Sequence, residues 1–409
     1  MRVAVIGCLH GDQHRMFTEQ SNVDLILCCG DFQALRNSHD LSATCSPERH
    51  RKLGTFHEYY KDDRKVPLTI VIGGNHESSA YMAELFYGGW LAPNIYYLGA
   101  GGSVIVNGLR IAGASGIYSR PDLFNKGHYE RVPLSESDAR SIYHLRSYTE
   151  ERLSLLPPVD IFLSHDWPVD ITEFGDQADL LRIMPRFTRD VTAGCFGAPA
   201  LSRVMVATAP RYWFAAHMHV KFPAVRQYLP TKRKPDHDYD PAPQHWLRDH
   251  ALSPSRTVEV PEHSGCATRF LALSKPHPKK HDWFEVLDIP FPDETTPLKL
   301  SFDPEWLAIC KATHPLPQGQ HAPPLPKDIR VKITAARVGL DEKASGPVSN
   351  VQTFAKTAPG EGEGTPEPHY ANPQTTAFCA MLGIEDVTNP KAVAKGVGKG
   401  RGKVRKNGR

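Results

Sequence analysis

The chain has 409 residues and no apolar run of transmembrane length. The short apolar run after Met1 is too brief for a signal peptide. Its eight cysteines include no Cys-x-x-Cys pair, and Cys28 and Cys29 are adjacent, so no disulfide framework is indicated. A soluble protein of a reducing, intracellular compartment is the expectation. A formal charge of +3 is too small to argue by itself for nucleic acid. No repeat of fixed period is present. From Lys391 to Arg409 acidic residues are absent, while eight are Lys or Arg. A basic, Gly-rich end of this kind is expected to be disordered. It reads as a nuclear-localisation or RNA-contacting tail, or as a solubilising end.

What is present is a set of apolar, β-branched runs that read as buried strands and end in glycine or metal-ligand residue types. Leu68–Ile72 runs into Gly73, Gly74, Asn75, His76 and Glu77. Arg2–Ile6 runs into Gly7, Cys8, Leu9 and His10. Val23–Cys29 is followed by Gly30 and Asp31, Val159–Leu163 by Ser164 and His165, and Arg211–Ala215 by His217 and His219. Cys8 and His10 are two apart, as are His217 and His219, so each pair projects to one side of an extended backbone. Taken singly, each has an ordinary explanation. Cys8 suits a small core position, His10 a hydrogen-bonded loop, and Asp31 or Asn75 a turn. Five such ends converging in one sheet are not explained by turn chemistry. Imidazole, carboxylate, amide and thiolate are donors for zinc or iron. Two metals about 3.5–4 Å apart are the usual arrangement for phosphate ester hydrolysis. Asp31 is the natural bridge, having two oxygens.

Between these ends, Gln33–Asn37 carries polar groups that could face a phosphate. Ser115 to Ser135 is long and irregular, with Arg120, Lys126, His128 and Arg131 interleaved with Tyr118, Phe124 and Tyr129. That mixture suits phosphates and stacked bases; an ordinary charged surface loop is the alternative. Ser137–Leu155 reads as one helix, Thr268–Leu273 and Trp283–Leu287 as late strands, and Phe302–Cys310 as a helix. The Pro- and charge-rich stretch from Pro230 reads as an insertion, and 343–373, rich in Gly, Pro and Glu, as a linker.

The order Cys-x-His, Gly-Asp, Gly-Asn-His-Glu, lone His and His-x-His resembles the calcineurin-like metallophosphoesterases, with Cys8 in place of the usual first Asp. GDFQALRN, GGNHE, YGGWLAPNIYYLG, LRIAGASGIY, RSIYHLR, DIFLSHDWP and YWFAAHMHVKF resemble the RNA lariat debranching enzymes over about 1–225, and again at 268–275. The resemblance implies an α/β fold: a two-sheet metallophosphoesterase sandwich flanked by helices, with a smaller C-terminal domain and a disordered basic tail. It divides the chain into a catalytic domain over 1–228, an insertion over 229–265, a C-terminal domain over 266–380 packed on the core, and a tail over 381–409. It implies hydrolysis of the 2′,5′-phosphodiester at the branch point of excised intron lariat RNA by a metal-bridging hydroxide. One metal would be held by Cys8, His10, Asp31 and His219, the other by Asp31, Asn75, His165 and His217. Fe(II) and Zn(II) are the favoured ions, with Mn(II) able to substitute. His76 would contact the scissile phosphate or protonate the leaving group. The segment 117–146 would be the lariat-recognition loop. Asn37, Tyr118, Gly127, His128, Tyr129 and His144 are the substrate-binding candidates. Branched RNA is the implied partner, with no membrane, and RNA-processing proteins are expected to meet the C-terminal region. The nucleus is the expected residence, with shuttling to the cytoplasm as a variant. A general phosphoesterase would instead have Asp at position 8 and no basic aromatic loop. A non-catalytic RNA-binding scaffold would have lost ligand residues.

Overall fold

The computed structural model describes residues 1–388 except 63, 124–126, 132, 231–256, 261–266, 294–296, 318, 320–322, 342–348 and 368. Of the tail expected over 381–409, residues 389–409 lie outside the described residues, as does most of the insertion.

Among the described residues, fourteen strands form two sheets. In chain order they are β1 Arg2–Ile6, β2 Leu25–Cys28, β3 Leu68–Val71, β4 Gly89–Ala92, β5 Ile95–Tyr97, β6 Gly101–Val106, β7 Leu109–Ala114, β8 Ile161–Ser164, β9 Tyr212–Ala215, β10 Phe222–Pro230, β11 Thr257–Val260, β12 Ala267–Ala272, β13 Phe284–Asp288 and β14 Leu300–Phe302. The first sheet runs β13-β1-β2-β3-β5-β4, and the second β11-β10-β12-β9-β8-β7-β6-β14. β1, β2 and β3 are parallel to one another, as are β7, β8, β9 and β12. Parallel strands buried on both faces need apolar residues at nearly every position, which these runs supply.

Alternation along each strand sorts the side chains into three layers. Val3, Val5, Leu25, Leu27 and Ile70 meet Ile161, Leu163, Phe214 and Leu271 between the sheets. Ala4, Ile6, Ile26 and Val71 face the helices Gln13–Glu19, Phe56–Lys61 and Ser79–Glu84. Phe162, Trp213 and Phe270 face Ser147–Leu153, Pro199–Thr208, Pro304–Ala312 and Pro373–Leu382 on the other side. Phe162 and Trp213 stack with centroids 4.1 Å apart.

Several expectations are corrected. The functional strand ends belong to two sheets: β1, β2 and β3 in one, β8 and β9 in the other. The late strands expected at Thr268–Leu273 and Trp283–Leu287 are present as β12 and β13, and with β14 the C-terminal segment supplies strands to both sheets. β12 lies between β10 and β9, β13 pairs antiparallel with β1, and β14 with β6. The expected helix over 137–155 is two helices, Glu136–Ser141 and Ser147–Leu153, parted where Ile117 pairs with His144. The expected linker over 343–373 is, where described, an ordered strap on the first sheet. Gln352 accepts from the Tyr96 hydroxyl at 2.8 Å, and the Ala358 carbonyl accepts from the Tyr60 hydroxyl at 2.9 Å. Composition suggested a linker because the strap's bonds are made one by one to distant residues, with no periodic pattern.

Candidate active site

Each strand end delivers its donors on a turn that the local sequence permits. His10, Asp31, His217 and His219 have φ of 53°, 48°, 61° and 56°. This left-handed region is sparsely used by residues other than glycine, though Asn, Asp and His tolerate it best. Strained backbone clusters at functional sites and persists only where the surroundings enforce it. Here the enforcement is visible. The His10 N–H donates to the Asp31 carbonyl at 2.7 Å, and the His76 N–H donates to Asp31 Oδ1 at 3.0 Å.

The ligand atoms of Cys8, His10, Asp31 and His219 all lie within 4.8 Å of one another. Beside them, His165 Nε2 is 3.3 Å from Asn75 Oδ1 and 3.4 Å from Asp31 Oδ1. The His217 ring centroid is 5.0 Å from that of His165. The two carboxylate oxygens of Asp31 divide between the groups: Oδ1 faces His165, and Oδ2 faces His10 at 3.8 Å. All seven residues expected to hold metal therefore come together, with Asp31 between two subsets.

The donor chemistry fits cations. His165 Nδ1 lies 2.7 Å from the Cys29 carbonyl, which can only accept, so a ring hydrogen sits there and Nε2 is the coordinating nitrogen. Nε2 faces the Asn75 and Asp31 oxygens. Burial is outweighed by Asp31, which raises this imidazole above its ordinary value, so a metal must displace the proton there. Burial, opposed in part by Asp31, lowers His10 to about 4, and burial with Lys275 and His10 lowers His219 to about 3. Both rings are neutral at pH 7, as ligands must be. Their Nε2 atoms approach to 3.2 Å. For Asp31, burial is outweighed by His165, His10 and His76, and its carboxyl is held far below the usual range. Burial and Asp31 push the Cys8 thiol well above its ordinary value, so a metal must displace its proton. Its Sγ already accepts from the His217 N–H at 3.1 Å.

Residues 1–221 match the family model for calcineurin-like phosphoesterases, and residues 265–387 the model for the C-terminal domain of lariat debranching enzymes. The chain is 38% identical to lariat debranching enzyme A of Xenopus laevis over 413 residues, covering 95% of this chain and 71% of that one. It is 38% identical to the lariat debranching enzyme of Homo sapiens over 417 residues, covering 95% and 70%. With that of Schizosaccharomyces pombe it shares 38% over 451 residues, covering 95% and 97%. The chain belongs to the lariat debranching enzyme family.

As a member of this family it is a metal-dependent phosphodiesterase. No described helix is long and apolar enough to cross a membrane.

The substrate-binding candidates fare differently. Asn37 is buried and committed: its amide oxygen caps the N–H groups of His39 and Asp40, and its amide nitrogen donates to the Pro359 carbonyl. Arg36, also expected to face phosphate, is buried between Asp40 and Glu84. His128 and His144 line a cavity of about 180 Å³ that abuts Gly73 and Gly74. His144 Nδ1 lies 2.7 Å from Asp122. Tyr129 lies over the Arg146 guanidinium, and the Tyr118 N–H donates to Asp166 at 3.0 Å. The backbone N–H groups of Gly127 and His128 donate to Gly319 and Pro317, at 3.0 and 2.8 Å, so the C-terminal segment pins this loop. Phe124 and Lys126 lie outside the described residues.

Burial, then Arg146 and Arg152, lowers His128 to about 3. A histidine held neutral in the fold stabilises above its unfolded pKa, about 6.5, and loses that contribution as pH falls toward 3. His128→Phe, which keeps a ring against Phe86, should flatten the decline of the melting temperature across this window. An unchanged decline would show that His128 is already charged in the fold.

The sequence names Glu77 at a strand end without giving it a role, and does not point to Ser46. Glu77 is buried and accepts from the N–H groups of Phe32, Gln33 and Gly74 at 2.8, 2.7 and 3.1 Å, tying the Asp31 turn to the Asn75 turn. Its position directly after His76 was the available signal. Ser46 Oγ lies 2.8 Å from His76 Nδ1. It comes from an irregular stretch with no pattern to mark it.

Proposed function

We propose that this chain hydrolyses the 2′,5′-phosphodiester bond at the branch point of excised intron lariat RNA, giving linear RNA for turnover. The observation that carries the reading is two donor subsets sharing Asp31, with His76 beside them, in a chain of this family. Bound divalent ions would lower the pKa of water and offset charge building on the phosphate oxygens. Cys8, His10, Asp31 and His219 would hold one ion, and Asp31, Asn75, His165 and His217 the other. His76, half-buried with its ring 5.5 Å from that of His10, would protonate the departing 2′ oxygen.

One synthetic RNA carrying both 2′,5′ and 3′,5′ linkages at one adenosine tests this, incubated with Fe(II), Zn(II) or Mn(II). Cutting at the 2′,5′ linkage alone is expected, reduced on the order of 10²–10⁴-fold in His76→Ala. Equal cutting of both linkages would make the chain a general phosphoesterase. RNA binding without cutting under any metal would make it a scaffold.

Imidazole and thiolate donors favour Fe(II) and Zn(II) over harder ions, with Mn(II) able to substitute. Cys8→Ser should therefore lower bound metal by about one ion per chain, read by elemental analysis. Unchanged stoichiometry would remove Cys8 from the ligands. Nuclear residence is proposed from the substrate and from the basic run 399–406; a fluorescent fusion lacking 391–409 should lose nuclear enrichment. RNA-processing proteins are proposed to meet the C-terminal region, which crosslinking would reveal.

A further inference from the structure

Ser46 lies in the turn between two short helical turns, Ser38–Ala43 and Glu48–His50. It is buried, at 6% exposure, yet reaches the active site. Its Oγ is 2.8 Å from His76 Nδ1. Among the described residues no hydrogen bond is made to His76 Nε2. The turn is held at both ends of this short stretch. Arg51 Nε donates to the Ser46 carbonyl at 2.8 Å, and the Cys45 thiol donates to the Ala139 carbonyl at 3.0 Å. Ala139 belongs to the helix 136–141 within the segment expected to meet RNA, and its carbonyl also accepts from Ser79 Oγ at 2.8 Å.

We infer that Ser46 is a positioning residue for His76: its hydroxyl holds Nδ1 and so turns Nε2 toward the scissile linkage. An imidazole has two nitrogens and a broad χ2 well, so without a fixed partner it samples orientations in which the wrong edge faces the substrate. Ser46 Oγ accepts from Nδ1–H both before and after Nε2 gives its proton to the departing 2′ oxygen. The hydrogen bond is therefore kept through the step, and no ring flip is needed. The backbone on the other side of His76 is held independently, by its N–H on Asp31 Oδ1. Ring and backbone are thus anchored by different residues, and only the ring depends on Ser46.

This inference rests on the proposed debranching activity, so its test begins with wild type on the branched RNA above. Ser46→Ala should lower kcat about ten- to a hundredfold, with KM for the RNA and bound metal unchanged. Ser46→Thr, which keeps the hydroxyl, should recover most of the loss. In a His76→Ala background, Ser46→Ala should cost nothing further, because there is no ring left to orient. A Ser46→Ala enzyme as fast as wild type, or an equal loss with and without His76, would overturn the inference. A wild type that cuts no 2′,5′ linkage would fail the functional reading instead.

Discussion

Gly74→Ala should strip the centre of metal and reduce cleavage of branched RNA by about 10²-fold or more. A Cβ built on Gly74 would stand 2.2 Å from Asp31 Oδ1, 2.5 Å from the Asp31 backbone nitrogen and 2.7 Å from His165 Cε1. None of these atoms is the free end of a flexible side chain. Asp31 is held in left-handed backbone by its bonds to His10 and His76, and His165 by its bond to the Cys29 carbonyl. The methyl group must therefore move the residue shared by both metal subsets. Gly339 is the control. It lies in the helix Ile329–Asp341 with open space around its Cβ position, and alanine there should be neutral or stabilise by about 0.5–1 kcal/mol. Elemental analysis and single-turnover cleavage of both variants decide the matter. Full metal content in Gly74→Ala would show that the close approach at this glycine is not required.

The centre was legible in the sequence because its signals are local. A buried strand, a glycine and a donor within a few residues can be recognised at each end without knowing where the others lie. A Cβ on Gly74 would strike Asp31, and one on Gly30 would stand 2.4 Å from His165 Nδ1, which is the three-dimensional reason those strands stop at glycine. What was not legible depends on pairing between distant residues. Nothing in Ala267–Ala272 says that it will lie between β10 and β9, or that the five ends will divide between two sheets. Asn37 and Arg36 follow the Asp31 turn and look available for phosphate. Apart from Asp40, four residues on from Arg36, their partners Glu84, Thr357 and Pro359 are 48 to 322 residues away, and only the fold shows that these donors are already used. Ser46 is the same case on the functional side, a lone serine whose meaning comes from His76.

Arg36→Met should destabilise the fold by roughly 3–5 kcal/mol, the effect expected when one partner of a buried ion pair is removed. Arg36 is 2% exposed. Its guanidinium binds both Asp40 oxygens at 2.9 Å and Glu84 Oε1 at 2.8 Å, and lies 4.0 Å from the Tyr81 ring centroid. Without it, two buried carboxylates lose the cation they share and keep only neutral donors. Glu84 responds to pH. Burial raises its carboxyl to about 7 even against Arg36, so it can take up a proton where its partner is lost. A carboxyl raised in the fold stabilises fully below its unfolded pKa and loses that contribution as pH rises through the folded one. The Arg36→Met penalty should therefore be smaller at pH 5 than at pH 8, and Glu84→Gln should relieve part of it at the higher pH. The same guanidinium donates to the Thr357 hydroxyl at 2.9 Å, which in turn donates to Glu84, and Asn372 reaches Glu84 at 3.5 Å. The strap is thus fastened to the first sheet through this cluster. Limited proteolysis of Arg36→Met should cut within 349–367 before the rest of the chain unfolds. Urea unfolding at the two pH values measures the first effect. A midpoint within error of wild type at pH 8 would mean that water or rearrangement already solvates these carboxylates.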